Sequence, residues 1–457
     1  MNMKKLIWAL PFLVAILTVT SLYAANAERL DPGQMWIPLG LGIVVSGIFL
    51  LLFWLLKWTS HAAPFVAAVF TLCFLIWNEA PVWIMGILLV LALLVGIRKK
   101  LHPVAHRASA VLALTMTIAI PVSLIMGMVL HVSDPGKVEG SFSPMPGQPN
   151  IYFIVPDRMP SPAAMLESGI DPGDTVRDLQ DLGFFVPEDL ESQDPYVAGM
   201  RGSFYVGTTE VKIHTTRTMR FFASVLNGGE EVPLGISYAA ARSLINQGTI
   251  FDLLHDRGYT VTNVASWFNE TAGITSADRT LKFTDVGLLE RLTADELSVA
   301  YFSRTMLAGL NFRVWESDAS QFKVESARHN WQAESLVDLA RSGQTSQFIM
   351  AHIMLPHEPF IYTIARNRMD QYKDQIRYSL LYLDSLATRI HEADPNAVII
   401  IQSDEGMAFR KPADLNDTLS PRQWNGVFAG WYFPDQPPDL GNISRITEIL
   451  DIVVKLK

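Results

Sequence analysis

Asp157, Asp404 and Glu405 each come directly after a short apolar run, and His357 lies a few residues beyond another. In an α/β sheet, ligands bind outside the carboxyl ends of the strands, so polar residues placed this way are the first candidates for chemistry. Ile151–Val155 (IYFIV) runs into Asp157-Arg158, Phe348–Met354 (FIMAHIM) into Pro356-His357-Glu358-Pro359-Phe360, and Ala397–Gln402 (AVIIIQ) into Ser403-Asp404-Glu405-Gly406. Singly, each has an ordinary reading: an Asp after a strand shapes turns and caps helices, and a His between prolines orders its loop. Together they bring oxygen donors from separate elements to one rim, as a hard cation requires. A nucleophile candidate lies in His214-Thr215-Thr216-Arg217-Thr218-Met219-Arg220, ahead of Phe222, Val225 and Leu226 at helical spacing. That spacing places Thr218 at a helix start, where a Thr is a good N-cap. A helix N-terminus also binds anions through its unpaired N–H groups, and Arg217 and Arg220 add charge suited to phosphate or sulfate oxygens.

The elements that must hold these residues can be read around them. Tyr259–Ala265 and Val427–Tyr432 add two strand-like runs, and Thr249–Arg257, Ser335–Ala340 and Met369–Ala393 read as helices. Continuous apolar strands alternating with helices predict an α/β domain whose mostly parallel sheet is buried on both faces. Formal net charge is −9, from 36 Lys+Arg against 45 Asp+Glu. That balance argues against nucleic acid as a partner, because phosphate neutralisation needs a basic surface. Cys73 is the single cysteine and sits in an apolar segment, which excludes intrachain disulfides and cysteine-based zinc clusters.

Before about residue 132 the composition changes. Apolar segments run over Leu6–Tyr23, Trp36–Leu56, Ala63–Trp77, Val82–Ile97 and Ala108–Leu130. A helix of about 20 apolar residues crosses the hydrocarbon core of a bilayer; the third and fourth segments are shorter, joined as a helical hairpin through Glu79-Ala80-Pro81. Trp36, Trp58, Trp77 and Trp83 mark interfaces. Lys4, Lys5, Lys57, Arg98, Lys99, Lys100 and Arg107 fall in alternate loops, opposite Glu28, Arg29, Asp31 and Glu79. Basic loops stay cytoplasmic, so the N-terminus is expected inside and everything after the fifth segment outside. Met1–Ala27 also carries the features of a secretory signal, including Ala25-Asn26-Ala27, but its apolar stretch exceeds the usual h-region and favours a retained helix. The expected organisation is a membrane domain of five helices over 1–132, a Pro/Gly/Ser-rich linker over 133–150, and an extracytoplasmic domain over 151–457.

The ordered motifs resemble the membrane-anchored, sulfatase-like branch of the alkaline phosphatase superfamily. That branch includes lipoteichoic acid synthases, phosphoglycerol transferases of glucan modification and phosphoethanolamine transferases of lipid A. Pro149 through Asp157 looks like the opening strand and first metal carboxylate, and Thr218 with its helix looks like the nucleophile segment. Phe348 to Phe360 is similar to the strand ending in a Pro-His-x-Pro-Phe loop, and Arg377 to Gly406 to the long helix and strand ending in Ser-Asp-His-Gly. The resemblance implies an alkaline phosphatase-type α/β domain, with metal held by Asp157, Thr218, Asp404 and Glu405. Thr218 and His357 become the catalytic candidates, with Arg217, Arg220 and His357 binding substrate. Two residues depart from the pattern: Glu405 stands where the family has His, and Arg158 where it has Gly. A carboxylate in place of imidazole shifts the expected ion from Zn toward Mg, Mn or Ca. Arg158 either offsets the added charge or occupies the cation site.

The activity so implied is transfer of a phospho-substituent from a membrane phospholipid to a cell-envelope glycan or lipid, at a bacterial cytoplasmic membrane with the C-terminal domain periplasmic or extracellular. Phosphodiester hydrolysis differs only in using water as acceptor. A catalytically silent partner in envelope polysaccharide assembly is the reading that Arg158 and Glu405 motivate. The formylglycine sulfatase route is excluded, since Cys73 is in the membrane third and no Ser-x-Pro-x-Arg pattern is present.

Overall fold

A computed structural model describes residues 3–27, 32–56, 62–77, 81–130, 147–192, 217–233, 236–284, 297–298, 301, 304–306, 318–409, 418–435 and 446–455. The loop charges at Glu28, Arg29, Asp31, Lys57 and Glu79, Trp58, most of the linker, and His214, Thr215 and Thr216 lie outside the described residues. The chain forms two compact units.

The first unit comprises Met1–Ser133 together with Val286–Ser317. Pro32–Leu55 and Lys99–Met128 are long and apolar enough to cross a membrane, and Leu10–Ala25, Ala63–Leu75 and Trp83–Ile97 are shorter apolar helices. Ile43, Val44, Ile48, Ile118 and Ile125 on the long helices are exposed, which is what a surface facing lipid requires and water penalises. Helices here approach closely through small residues: a Cβ on Gly42 would lie 2.9 Å from the Cβ of Ala15 and 3.0 Å from the hydroxyl of Tyr301. Of Val286–Ser317, the described residues Leu297 and Tyr301 pack in this unit. Leu297 and Tyr301 are buried with Ala15, Val19, Leu22 and Tyr23, because the apolar face they present finds its cover there.

The second unit is an α/β domain. Its strands are β1 (Ile151–Pro156), β2 (Leu190–Glu191), β3 (Thr260–Val264), β4 (Arg279–Leu281), β5 (Gln347–Ile353), β6 (Val398–Gln402), β7 (Gly426–Val427) and β8 (Ala429–Tyr432). Six form one sheet in the order β4-β3-β5-β1-β6-β8, parallel except for the edge pair β6–β8; β2 and β7 form a separate antiparallel pair. The run read as one strand at Val427–Tyr432 is therefore split, and β4 is an added short edge strand. The helix expected at Ser335–Ala340 extends over Asp318–Arg341.

β1 is central and buried along its whole length. Successive side chains of a strand point to opposite faces. Tyr152 and Ile154 accordingly join one core with Leu336, Ile376 and Leu383 from the helices Asp318–Arg341 and Arg368–Ala393. Ile151, Phe153 and Val155 join the other with Phe222, Ile245, Phe251 and Leu450. Cover on both faces explains why these strands read as unbroken apolar runs. The register sets Ile151 opposite both Phe348 and Val398, so the carboxyl ends of β1, β5 and β6 come out side by side.

Gly406, just past β6, lies tight against other backbone. A Cβ there would meet the carbonyl oxygens of Trp424, Gln423 and Gly426 at 2.5, 2.8 and 2.8 Å. All three are backbone atoms and cannot swing away. Gly406→Ala is expected to lower stability by about 1–3 kcal/mol or more, the range for overpacking, measured by denaturant titration of the purified chain against wild type.

Candidate metal centre

The aligned strand ends concentrate acidic groups. Asp157 follows β1, and its N–H donates to Ile353 O at the end of β5 (2.9 Å). His352 is the penultimate residue of β5, opposite Val155. Asp404 lies two residues past β6. Donor atoms of Asp157, His352 and Asp404 all lie within 4.8 Å of one another, and all three residues are buried. His352 Nε2 is 3.3 Å from Asp157 Oδ2. Within this group Asp157 Oδ1, His352 Nε2 and Asp404 Oδ2 are buried without a hydrogen-bond partner. An orphaned buried polar atom is costly; each of the three residues carries one, and a donor atom from each lies within reach of a shared divalent cation.

Electrostatics agree with that fit. Burial pushes the Asp157 carboxyl up to about 8; the guanidinium of Arg158 opposes the shift and the charge of Glu405 adds to it. Burial, then the charges of Asp157 and Glu405, hold Asp404 well above the usual carboxylate range. Burial drives His352 down to about 4, so its imidazole is neutral. With no cation the site favours protonated carboxyls; a metal takes the place of those protons.

Glu405 is engaged elsewhere. Its Oε1 accepts from Arg158 Nε at 2.7 Å, and its Oε2 is 3.4 Å from Arg217 Nε. Arg158 also lies 3.6 Å from Asp157 Oδ1 and donates from Nη1 to Ala408 O at 3.3 Å. Its backbone is at φ 65°, a region non-glycine residues rarely occupy. That turn is held because the Arg158 N–H donates to Asp404 Oδ1 at 3.1 Å and its carbonyl accepts from the Tyr372 hydroxyl. Arg217 donates from Nη2 to Ser192 Oγ and to Trp424 O, both at 3.0 Å, and packs over the Trp424 ring. The sequence expectation put Glu405 among the metal ligands and Arg217 on the substrate. Both sit in an ion-paired group beside the cluster, with two guanidiniums on Glu405.

Thr218 is buried in the helix Arg217–Val225. Phe222, four residues on and so on the same helix face, meets the His352 ring edge-on at 4.9 Å between centroids. Thr218 therefore lies on the face of its helix that turns toward His352. Arg220 is half-buried on the same helix. His357 is outside the cluster. Its Nδ1 pairs with Glu358 O, and because a carbonyl only accepts, Nδ1 donates. The loop is fixed by Gln375, whose Nε2 donates to His357 O at 2.8 Å and Pro359 O at 3.1 Å. The His357 ring packs edge-on against Trp267 at 5.5 Å.

His352 was missed by the reading of residues after strands, because it lies inside one. A histidine in an otherwise apolar strand, one position from its carboxyl end, was the available signal.

No protein-family profile and no curated protein matches this chain. Solved structures do. The C-terminal periplasmic domain of EcEptC from Escherichia coli, in complex with Zn, is 12% identical, with a TM-score of 0.36, over 70% of this chain and 84% of that one. The C-terminal periplasmic domain of phosphoethanolamine transferase EptC from Campylobacter jejuni is 10% identical, with a TM-score of 0.33, over 65% and 82%. The lipoteichoic acid synthase LtaP from Listeria monocytogenes is 12% identical, with a TM-score of 0.31, over 67% and 70%.

Proposed function

We propose that this chain is a membrane-anchored, metal-dependent transferase that moves a phospho-substituent from a phospholipid to a hydroxyl of a cell-envelope glycan or lipid. The observation that supports it best is the buried Asp157–His352–Asp404 cluster at the carboxyl edge of a parallel sheet, beside the helix face that carries Thr218. In this reading Thr218 Oγ attacks the donor phosphorus, forming a P–O bond to Thr218 as the bond to the lipid oxygen breaks, and the proton that Thr218 loses ends on the departing lipid oxygen. The acceptor hydroxyl then attacks the same phosphorus, the Thr218–phosphorus bond breaks, and the acceptor's proton ends on Thr218 Oγ. His357 serves as proton carrier through Nε2, with Arg217 and Arg220 setting the local positive charge.

Asp157, His352 and Asp404 would hold the metal, which when bound supplies Lewis-acid stabilisation of charge on the nucleophile and phosphoryl oxygens. The expectation of Mg, Mn or Ca rested on Glu405 as a ligand. One imidazole and two carboxylates suit zinc or manganese better. The same donor set speaks against a catalytically silent domain: Arg158 pairs mainly with Glu405, and donor atoms of the three residues stay within 4.8 Å of one another. We further propose that the apolar helices of the first unit cross the membrane five times, with the N-terminus cytoplasmic and the α/β unit outside.

The test is chemical. Full-length protein in detergent, loaded with zinc or manganese and incubated with phospholipid, is expected to show by mass spectrometry a phospho-substituent on Thr218, and Thr218→Ala to show none. No adduct across a panel of donor headgroups, from protein that retains metal, would sink the transferase reading.

A further inference from the structure

His352 is gripped by its surroundings. Phe222 and Phe268 meet its ring edge-on at 4.9 and 5.5 Å between centroids, and its Nδ1 lies 3.0 Å from Thr271 Oγ1. Thr271 and Ser266 come from the segment that follows β3, and both are buried. Thr271 is held in turn by Asn263 Nδ2, which donates to its carbonyl at 2.9 Å.

A neutral imidazole carries one proton, and the question is which nitrogen has it. Ser266 Oγ accepts from Phe268 N–H at 3.0 Å and lies 3.2 Å from Thr271 Oγ1, to which its own hydroxyl can donate. The Thr271 hydroxyl has an acceptor in Phe268 O at 3.3 Å. Thr271 Oγ1 can then accept from a proton on His352 Nδ1. The opposite arrangement puts the proton on Nε2, which has no hydrogen-bond partner although Asp157 Oδ2 lies 3.3 Å away. A proton on Nδ1 gives the imidazole N–H and both hydroxyls an acceptor each.

We propose that Thr271, backed by Ser266, is a positioning residue that holds His352 in the Nδ1–H tautomer and leaves the Nε2 lone pair facing Asp157 and Asp404 as a ready metal ligand. Its value to catalysis rests on the metal-centre reading above, whereas the tautomer is a property of the metal-free protein. Outer partners of this kind fix ring orientation and donor strength in metal sites.

The experiment has two arms, both on the full-length chain. Histidine-selective nitrogen-15 labelling of metal-stripped protein in lipid bilayers, with His352→Gln identifying the signals, reads the tautomer directly. A protonated Nδ1 and bare Nε2 are expected; a protonated Nε2 overturns the proposal. In the second arm, zinc and manganese affinities are measured by competition with a chelator. Thr271→Val is expected to weaken binding by about 10–100-fold, the range for outer-partner changes, and Thr271→Ser to restore it. Ser266→Ala gives an intermediate loss and stands in if Thr271→Val does not fold. Unchanged affinity in both Thr271→Val and Ser266→Ala would overturn the positioning role. Wild type that shows the Nδ1–H tautomer but binds neither metal would overturn the metal-centre reading and leave the tautomer assignment standing.

Discussion

Asp404→Asn is expected to abolish metal retention and, at the same time, to make the metal-free protein more stable at neutral and alkaline pH. Both effects follow from one fact: two buried carboxyls and an imidazole lie within 4.8 Å of one another, each with an atom that has no hydrogen-bond partner. Asp157 titrates at about 8 rather than its ordinary 3.8, chiefly through burial, and Asp404 is also raised. A raised carboxyl binds a proton in the folded state that the unfolded chain has already released. The stabilisation this gives is complete below the unfolded value and is lost as pH climbs through the folded one. Metal-free wild type should therefore lose stability from about pH 4 to pH 8, by up to about 1.4 kcal/mol per pH unit for each proton so held. Metal affinity runs the other way and rises over the same interval, since cation and proton compete. The Asn amide removes one charge and supplies a donor, so the variant's melting curve should change less with pH. Thermal unfolding of stripped and metal-loaded protein from pH 5 to 9 checks this. A variant that keeps its metal, or a stripped wild type whose stability rises toward pH 8, would refute the cluster as a cation site.

Glu405→Gln is expected to act with the opposite sign. Its carboxylate lies between Arg158 at 2.7 Å and Arg217 at 3.4 Å, with side chains only 13% and 6% exposed. Removing one member of a buried ion pair leaves uncompensated charge and costs about 3–5 kcal/mol. The loss should appear in stripped protein, by denaturant titration at pH 7. Were Glu405 a metal ligand instead, its neutralisation would relieve repulsion with Asp157 and Asp404, and the stripped protein would gain stability as Asp404→Asn does. The two variants, measured side by side, separate a ligand from a counter-ion.

Much of the positioning was legible in the chain. The runs at Ile151, Phe348 and Ala397 announce strands buried on both faces, because only cover on both sides suits an unbroken apolar run. That reading alone put Asp157 and Asp404 at one rim. The helix over Arg368–Ala393 was visible to within a residue, since its apolar positions recur over many turns. Val427–Tyr432 was harder: the bend that separates β7 from β8 comes from pairing with β2 on one side and β6 on the other. The packing of Leu297 and Tyr301 with the N-terminal helices was not legible, because an apolar residue shows that it needs cover but not what covers it.

By itself the sequence determined which groups reach the edge of the sheet: period and hydropathy place residues on strands, and strand ends place Asp157, Asp404 and Glu405. Tertiary structure alone decided how those groups divide their partners. Charge pairing depends on distances of a few ångströms in a dry interior, where 2.7 Å to a guanidinium outweighs any motif. So Glu405 went to Arg158 and Arg217, and His352, hidden in an apolar strand, took the place beside Asp157 and Asp404.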